Sequence, residues 1–173
     1  MIIKNLFALG RLLPVLFVLA ACGFHPVYGS HNSESGSPVA VALNSVAIDN
    51  IADRPGQILR NDLIDRMYVK GRPSLPTSTL TVKIRNTEED LGILTNATAT
   101  RSLMNTYGDY QLKDRKGTVL VWGTAHSTTS FDKLNDIYGT LTAREDAYQR
   151  TLNEVSEQIV NRLSLYFSEH PTP

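Results

Sequence analysis

The sequence contains very little cysteine and no excess of charge of either sign. Its 173 residues include a single cysteine, Cys22, so no disulfide can form within the chain and packing alone has to stabilise the fold. The 17 Lys and Arg residues are balanced by 17 Asp and Glu residues. Nucleic-acid binding depends on clustered, excess basic charge that releases counterions. The balanced composition therefore argues against a nucleic-acid partner.

The sequence also lacks the short motifs of common enzymes and metal sites. It contains no G-x-S-x-G nucleophile elbow, no H-E-x-x-H, no C-x-x-C and no glycine-rich phosphate loop. Of its four histidines, only His126 lies in a predicted strand, where an ordinary sheet residue is expected. We therefore expect a protein that is not an enzyme and that needs no metal or cofactor. A hydrolase is the least supported alternative, because no nucleophile and base have a recognisable spacing.

The N-terminal residues have the layout of an export signal. Lys4 and Arg11 precede an apolar run over residues 12–20, and small residues follow it. A charged region, a short apolar region and small residues are the three parts of a secretory signal peptide. The run is too short for a transmembrane helix, which needs about 20 apolar residues. We predict that residues 1–21 are a cleaved signal peptide.

The residues that end this signal indicate lipid modification. Leu19-Ala20-Ala21-Cys22 resembles the bacterial lipoprotein box, in which cleavage occurs before a cysteine whose thiol is lipidated and whose new amino group is usually acylated. Two or more acyl chains anchor a protein stably, whereas one chain gives only marginal binding. We predict that Cys22 carries a covalent lipid that holds the mature chain at a membrane. Gly23 stands where many inner-membrane lipoproteins have Asp, which favours the outer membrane.

Two regions follow the predicted cleavage site. Residues 22–37 end in a stretch rich in Ser, Gly and Asn, so we predict a lipidated N-terminus followed by a flexible tether. Residues 38–173 have a length that suits one compact domain with a single core. We predict that they form a single α+β domain.

The first part of this domain is predicted to contain a strand and a helix. Residues 39–48 are largely apolar and β-branched, which predicts a first strand. A helix is predicted to begin near Pro55 with Asp53 as its cap, and to end before Gly71. Its apolar face consists of Leu59, Leu63 and Met67.

Three further strands are predicted in the middle of the domain. Residues 79–85 alternate between apolar and polar side chains, which is typical of a strand with one buried face. The acidic residues 88–90 are expected to form a solvated loop rather than a cation site. Residues 98–113 are rich in Thr and Tyr but polar on both faces. Residues 114–117 predict a hairpin turn, after which a fourth strand extends to about residue 130.

The last element is predicted to be a helix. Thr142 and Glu145 have the spacing of a capping box. The apolar stripe that follows has helical spacing and consists of Tyr148, Leu152, Val155, Ile159, Leu163 and Tyr166. The element order is strand, helix, three strands, helix. We therefore predict an α+β fold in which two helices pack on one face of a four-stranded mixed sheet, with the last three strands as an antiparallel meander.

Basic side chains on the predicted sheet are the candidate ligand contacts. Lys83 and Arg85 project from the polar face of the second strand, and Arg101 is expected beside them on the third. A basic cluster is expected near the hairpin turn, formed by Lys113, Arg115 and Lys116, of which Arg115 and Lys116 are the candidate contacts. Arg and Lys side chains presented by a rigid sheet suit phosphate groups, so the expected ligand is an anionic lipid. The alternative is a generic solvated face.

Two passages resemble one protein family. Residues 19–29 read Leu-Ala-Ala-Cys-Gly-Phe-His-Pro-Val-Tyr-Gly. They resemble the processing site and mature start of the LptE family of LPS-assembly lipoproteins in its alphaproteobacterial form, where the cysteine is followed by Gly-Phe-x-Pro-(apolar)-Tyr-Gly. Residues 138–147 and 162–167 are similar to that family's terminal helix. The predicted element order agrees with the family's fold, so the resemblance covers nearly the whole mature chain.

The resemblance implies a function in the bacterial outer membrane. Members of this family plug the large β-barrel LptD, support its assembly, help to insert lipopolysaccharide (LPS) into the outer leaflet, and are thought to bind LPS through basic residues. Only Cys22 carries over residue by residue, so the five basic residues are LPS-contact candidates by chemistry alone. The alternative is a stand-alone, periplasm-facing lipoprotein that binds a lipid or a peptide on its sheet.

Overall fold

The computed structural model describes residues 37–68, 71–93, 99–134 and 136–170. The predicted signal peptide, Cys22 and the tether up to residue 36 lie outside the described residues. In chain order the elements are α1 (Pro38–Asn44), β1 (Val46–Ile48), α2 (Asp53–Met67), β2 (Ser78–Ile93), β3 (Ala99–Asp114), β4 (Val119–Asp132) and α3 (Ile137–Glu169).

The strands form one mixed sheet in the order β1-β2-β3-β4. β1 runs parallel to β2 and pairs only with Ser78–Leu80, whereas β2, β3 and β4 form an antiparallel meander. In the turn between β3 and β4, Asp114 Oδ1 accepts hydrogen bonds from the N–H groups of Lys116 and Thr118, both at 2.8 Å. Gly117 adopts a φ of 85°, a conformation that favours glycine. The predicted meander and hairpin are confirmed.

The helices pack against one face of this sheet and enclose the main core. The predicted apolar face of α2 is buried. It meets Leu80 of β2 and Leu112 of β3, both fully buried, and the apolar stripe of α3. The buried residues of that stripe are Leu152, Val155, Ile159 and Leu163, with Phe167 in the last turn. The predicted α+β class and the four-stranded mixed sheet are therefore confirmed.

The structure adds a helix that the sequence pattern did not predict. Residues 39–48 were predicted as the first strand, but residues 38–44 form α1 and only Val46–Ile48 remain extended. Ser37 caps the helix by accepting a hydrogen bond from Ala40 N at 3.2 Å, and a proline stands at the first helical position. The buried residues are spaced as on a helix, namely Val39, Ala42 and Leu43.

Two predicted helix caps are wrong. Asp53 does not cap α2: it adopts a φ of 66°, and the cap position is Ala52, which makes no side-chain hydrogen bond. Thr142 does not cap α3, because the helix begins five residues earlier at Ile137. There Asp136 Oδ2 accepts a hydrogen bond from Gly139 N at 2.7 Å. Thr142 lies inside the helix.

β2 is longer than predicted, and β3 is less exposed. The acidic residues 88–90 do not form a loop but continue β2, opposite residues 102–104 of β3. The even-numbered residues of β3 point toward the helices, so its polar Ser102 and Thr106 are fully buried. β3 does carry polar residues on both faces, as predicted. Those on the helix side are nevertheless buried.

Candidate functional site

Within the described part of the chain, the helices cover one face of the sheet and leave the other face uncovered. Successive residues of a strand point to opposite faces, so the exposed side chains alternate with the buried ones along β2, β3 and β4. We call this uncovered surface the outer face. The charged and aromatic residues at its centre are Lys83, Arg85, Tyr107, Asp109, Lys113, Trp122 and His126.

A row of planar groups crosses the middle of the outer face. The register places Arg85 opposite Tyr107, and Tyr107 opposite His126. The Arg85 guanidinium lies 5.1 Å from the centre of the Tyr107 ring. The rings of Tyr107 and His126 stack with centroids 4.3 Å apart and an interplanar angle of 13°. Stacking of this kind fixes the orientation of Arg85 and keeps its remaining donors available.

Asp109 orders the neighbouring row. Its carboxylate accepts hydrogen bonds from Thr124 Oγ1 at 2.6 Å and from Arg85 Nε at 3.1 Å. The Thr124 and Arg85 hydrogen bonds lower the pKa of Asp109, and the charge of Lys83 acts in the same direction. Asp109 therefore stays negative at neutral pH and holds Arg85 against the sheet.

A groove lies between this row and the hairpin turn. Its volume is about 380 Å³. Lys83, Lys113 and Trp122 line it, and the Trp122 side chain is 75% exposed. An exposed indole offers a flat apolar surface, and the two ammonium groups offer positive charge and hydrogen-bond donors. This combination suits a phosphorylated sugar or a lipid headgroup.

The structure separates the other basic candidates from this groove. Arg101 was expected beside Lys83 and Arg85, and this placement is wrong. Arg101 lies opposite Leu91, six residues further along β2 than Arg85 and thus about 20 Å away. Its Nε pairs with Asp132 Oδ1 at 3.1 Å.

The two turn residues are also outside the groove. Arg115 donates from Nε to the carbonyl of Pro76 at 2.9 Å, and Lys116 lies in the turn itself. Lys113 was predicted only as a member of the basic cluster at the turn, and Trp122 was not predicted as a site residue. The alternation of the third and fourth strands was the available signal, because it assigns each residue to one face.

A second cavity, of about 750 Å³, lies on the helix side of the sheet beside β2. We call it the helix-side cavity; Asn86, Glu88, Met104, Leu141, Arg144 and Tyr148 are among its lining residues. Glu88 forms two ion pairs. Its Oε2 lies 2.9 Å from Arg144 Nε, and its Oε1 lies 3.4 Å from Lys133 Nζ. Burial raises the pKa of Tyr148 to about 12, and the Glu145 carboxylate adds to this effect. Ion pairs thus hold the cavity wall in place, and the raised pKa keeps Tyr148 neutral at physiological pH.

The described part of the chain contains neither a metal-binding cluster nor a membrane-spanning helix. Within residues 37–68, 71–93, 99–134 and 136–170, no cluster of three or more His, Cys, Asp or Glu residues has a geometry that suits a metal ion. None of the helices in these residues is long and apolar enough to span a membrane.

Solved structures share this fold. A Caulobacter crescentus CB15 protein described as a lipoprotein superposes with a TM-score of 0.63 at 22% identity, covering 78% of this chain and 98% of that one. Lipoprotein B from Nitrosomonas europaea gives 0.57 at 14% identity, covering 72% and 86%. A minor lipoprotein from Acinetobacter baumannii gives 0.53 at 13% identity, covering 70% and 92%. At these identities the likeness shows the fold alone.

The fold thus defines an α+β domain of the kind found in these bacterial lipoproteins. A sequence search of curated proteins gave no match. The model of the LptE family, described as lipopolysaccharide-assembly, matches residues 41–163. The chain belongs to the LptE family. Membership implies a role in LPS assembly with LptD, and members of this family are non-enzymatic envelope lipoproteins.

Proposed function

We propose that this chain is an outer-membrane lipoprotein that binds LPS on its outer face while it plugs and supports the LptD barrel. The observation that carries the LPS-binding part is the groove lined by Lys83, Lys113 and the exposed Trp122. Arg85 lies beside this groove, on Asp109. Asp109 is the acidic group among them, and Arg85 and Thr124 already bond to it. The surface therefore keeps positive charge that a phosphorylated lipid can neutralise.

The proposed contacts divide by chemistry. The ammonium groups of Lys83 and Lys113 bind phosphate oxygens as point charges, and Arg85, held by its stacking on Tyr107, adds oriented donors. The indole of Trp122 packs against a sugar ring or the edge of an acyl chain. Arg101, Arg115 and Lys116 remain candidates for separate, weaker contacts, because none of them shares the groove.

The anchor and the barrel complete the proposal. Cys22, freed by removal of residues 1–21, carries the lipid that tethers the domain to the outer membrane through residues 22–37. With the domain inside the barrel, the polar rows of the outer face meet a hydrated lumen wall, which suits their hydroxyl and charged side chains. LPS then passes a surface that binds its phosphates and helps to insert it into the outer leaflet.

The LPS contact is tested by measuring binding of purified LPS to the mature chain carrying Cys22→Ser. We expect Lys83→Glu with Lys113→Glu to weaken binding by roughly tenfold or more, since a hydrogen bond to a charged group is worth about 1.5–3 kcal/mol. The matched control is Arg101→Glu with Lys116→Glu, which makes the same change in net charge outside the groove. Equal losses in the two double variants would contradict the assignment to the groove.

The barrel contact is tested by purifying the lipidated protein from detergent-solubilised outer membrane. We expect LptD in a one-to-one ratio with the lipoprotein. Recovery of the lipoprotein alone, with a bound lipid or peptide, would instead support the stand-alone binding protein.

A further inference from the structure

A narrow groove runs between the β4 edge of the sheet and α3. Its volume is about 330 Å³. We call it the edge groove, because it opens on the helix side of the sheet and is separate from the groove on the outer face. Its lining residues come from β3, β4 and α3, namely Tyr110, Thr124, Ala125, Gln158, Asn161, Arg162 and Leu165.

The Tyr110 side chain is buried beside the edge groove, yet its hydroxyl has no hydrogen-bond partner among the described residues. The residue is only 5% exposed. Its ring lies across Gly123, the residue opposite it on β4, since a Cβ atom built on Gly123 would lie 2.7 Å from the hydroxyl oxygen. The glycine thus leaves the hydroxyl a path over β4 to the edge groove. Buried polar groups normally have a partner, so this hydroxyl is available to a ligand.

Arg162 adds positive charge at the same place. Burial raises the pKa of Tyr110 above 10.0, and the nearby charge of Arg162 offsets part of this rise. The hydroxyl is therefore protonated at neutral pH and able to donate. In the described part of the chain no ion pair involves Arg162. A guanidinium and a hydroxyl donor side by side suit a carboxylate.

Gln158 closes one end of the edge groove. Its side-chain amide accepts from His126 N at 3.2 Å and donates to His126 O at 2.9 Å, so it takes the place of a peptide group of an added strand. The backbone groups of every second residue point the same way, so the N–H and C=O of Thr124 also face this edge. Arg162 lies one turn beyond Gln158 on α3. An extended chain that pairs with β4 from the hairpin side therefore cannot continue along the edge past Gln158.

We propose that the edge groove binds the carboxyl terminus of an extended peptide, which adds as a strand parallel to β4. A chain that approaches from the hairpin turn and stops at Gln158 runs in the same direction as β4. Its terminal carboxylate accepts hydrogen bonds from Arg162 and the Tyr110 hydroxyl, and its backbone pairs with Thr124. Strand addition and capture of a terminal carboxylate are both recurring modes of peptide recognition.

The lining of the edge groove indicates which peptides fit. Leu165 is 48% exposed and offers an apolar contact beside the carboxylate site. None of the lining residues is acidic, so a carboxylate meets no like charge there. The partner is thus a protein whose carboxyl terminus is extended and ends in an apolar residue. This inference does not depend on the proposed binding of LPS or LptD.

Selection from a random library of octapeptides with free carboxyl termini tests the proposal, with the mature chain carrying Cys22→Ser as the immobilised protein. We expect the selected peptides to share an apolar last residue. Amidation of their carboxyl terminus is expected to weaken binding by roughly tenfold or more, because it removes charge-assisted hydrogen bonds. Selected peptides that bind equally well as amides, for example through acidic side chains, would overturn the proposal, and so would a library without binders.

Two substitutions locate the bound carboxylate. Arg162→Gln is expected to weaken binding of a selected peptide by roughly tenfold, and Tyr110→Phe by about threefold or more, since the second loses one hydrogen bond and keeps the ring. Neither is expected to change the residual affinity of the amidated peptide. The matched controls are Arg150→Gln and Tyr138→Phe, at exposed positions of α3 outside the edge groove. Equal losses in the controls, with circular dichroism showing folded chains, would also overturn the proposal.

Discussion

The two halves of the sheet are held to the helices by different forces. In the near half, where Leu80 pairs with Leu112, the interface is a continuous apolar core. In the far half, where Asp90 pairs with Ser102, the apolar cluster is reduced to Met104, Phe131 and Ala147. The rest of the far half consists of hydroxyl pairs and ion pairs.

The stability of the far half therefore depends more on the geometry of its hydrogen bonds and ion pairs than on the apolar area that it buries. Thr106 and Thr151 share a buried hydrogen bond of 2.7 Å, and Ser102 donates to Asp90 at 2.5 Å. Such contacts contribute about 1 kcal/mol each, and only when every group finds its partner. Apolar burial in the near half is less demanding in direction and larger in sum. We therefore expect the near half to supply most of the stability and the far half to open at a lower free energy.

The largest expected effect comes from a cavity in the near half. Leu112 is fully buried, so Leu112→Ala is expected to lower the free energy of unfolding by about 2–5 kcal/mol. Urea denaturation followed by circular dichroism measures the loss. Leu120→Ala, at a leucine that is 37% exposed, serves as the control and is expected to change it much less. Similar losses for both variants would contradict the placement of the core.

A smaller effect is expected at Gly108, where α3 approaches the sheet between the two halves. A Cβ atom built there would lie 2.7 Å from Val155 Cγ1, so Gly108→Ala is expected to cost about 1–3 kcal/mol through overpacking. Adding Val155→Ala relieves this clash, and a double-mutant cycle measures the coupling. Strictly additive losses would show that the two residues are not in contact.

In the far half we expect a loss of about 1 kcal/mol from Thr106→Val. Thr151 Oγ1 donates to Tyr148 O at 2.8 Å, so its only hydrogen is in use and Thr106 is the donor of the hydroxyl pair. Thr106→Val removes that donor while it keeps the shape of the side chain. Thermal unfolding compares it with Thr128→Val, an exposed hydroxyl on the outer face. A Thr106→Val protein as stable as the parent would show that the pair contributes nothing.

The smallest effect is a pH dependence in the far half. The hydrogen bond from Lys133 and that from Ser102 lower the pKa of Asp90 below 3.8. A depressed pKa stabilises the fold above the ordinary value, so this contribution is lost as the pH falls through the lowered pKa. Residue-resolved hydrogen exchange is expected to show opening near Asp90 at a pH below about 4, before the near half opens.

The variant Asp90→Asn is the control for this titration. It is expected to weaken the far half at neutral pH and to remove the acid-dependent step there. Lys133 behaves in the opposite sense: Asp90 raises its pKa above 10.5, so its contribution is present below that value and is lost as the pH rises through the raised pKa. An Asp90→Asn protein with an unchanged acid step would assign the titration to another group.

The same contrast explains how far the sequence was informative about the fold. In the near half, period-two and period-four apolar patterns predicted β2, α2 and the middle of α3, because burial there selects apolar side chains at regular spacing. α1 was missed because a short run of apolar and β-branched residues fits a strand as well as a helix. The start of α3 was missed because Ile137, Tyr138 and Leu141 are exposed and lie off the buried stripe.

The candidate site was predicted in part, and the error has one cause. Lys83 and Arg85 do lie together on the outer face. Arg101 was placed beside them because the acidic residues 88–90 were expected to end the strand. Since β2 instead continues to Ile93, the hairpin is longer and Arg101 pairs at its far end. Strand length depends on cross-strand partners such as Ser102 and Lys133, which local composition does not reveal.

The length of α3 has a thermodynamic consequence. The helix runs without interruption from Ile137 to Glu169 and spans about 50 Å, so the same rigid rod contacts both halves of the sheet. Any molecule that binds more tightly to the ordered form of its first turns must raise the stability of that form, and by reciprocity a substitution that loosens the far half must weaken that molecule's binding. The affinity for a molecule bound at the first turns of α3 and the free energy of opening of the far half thus report the same coupling free energy.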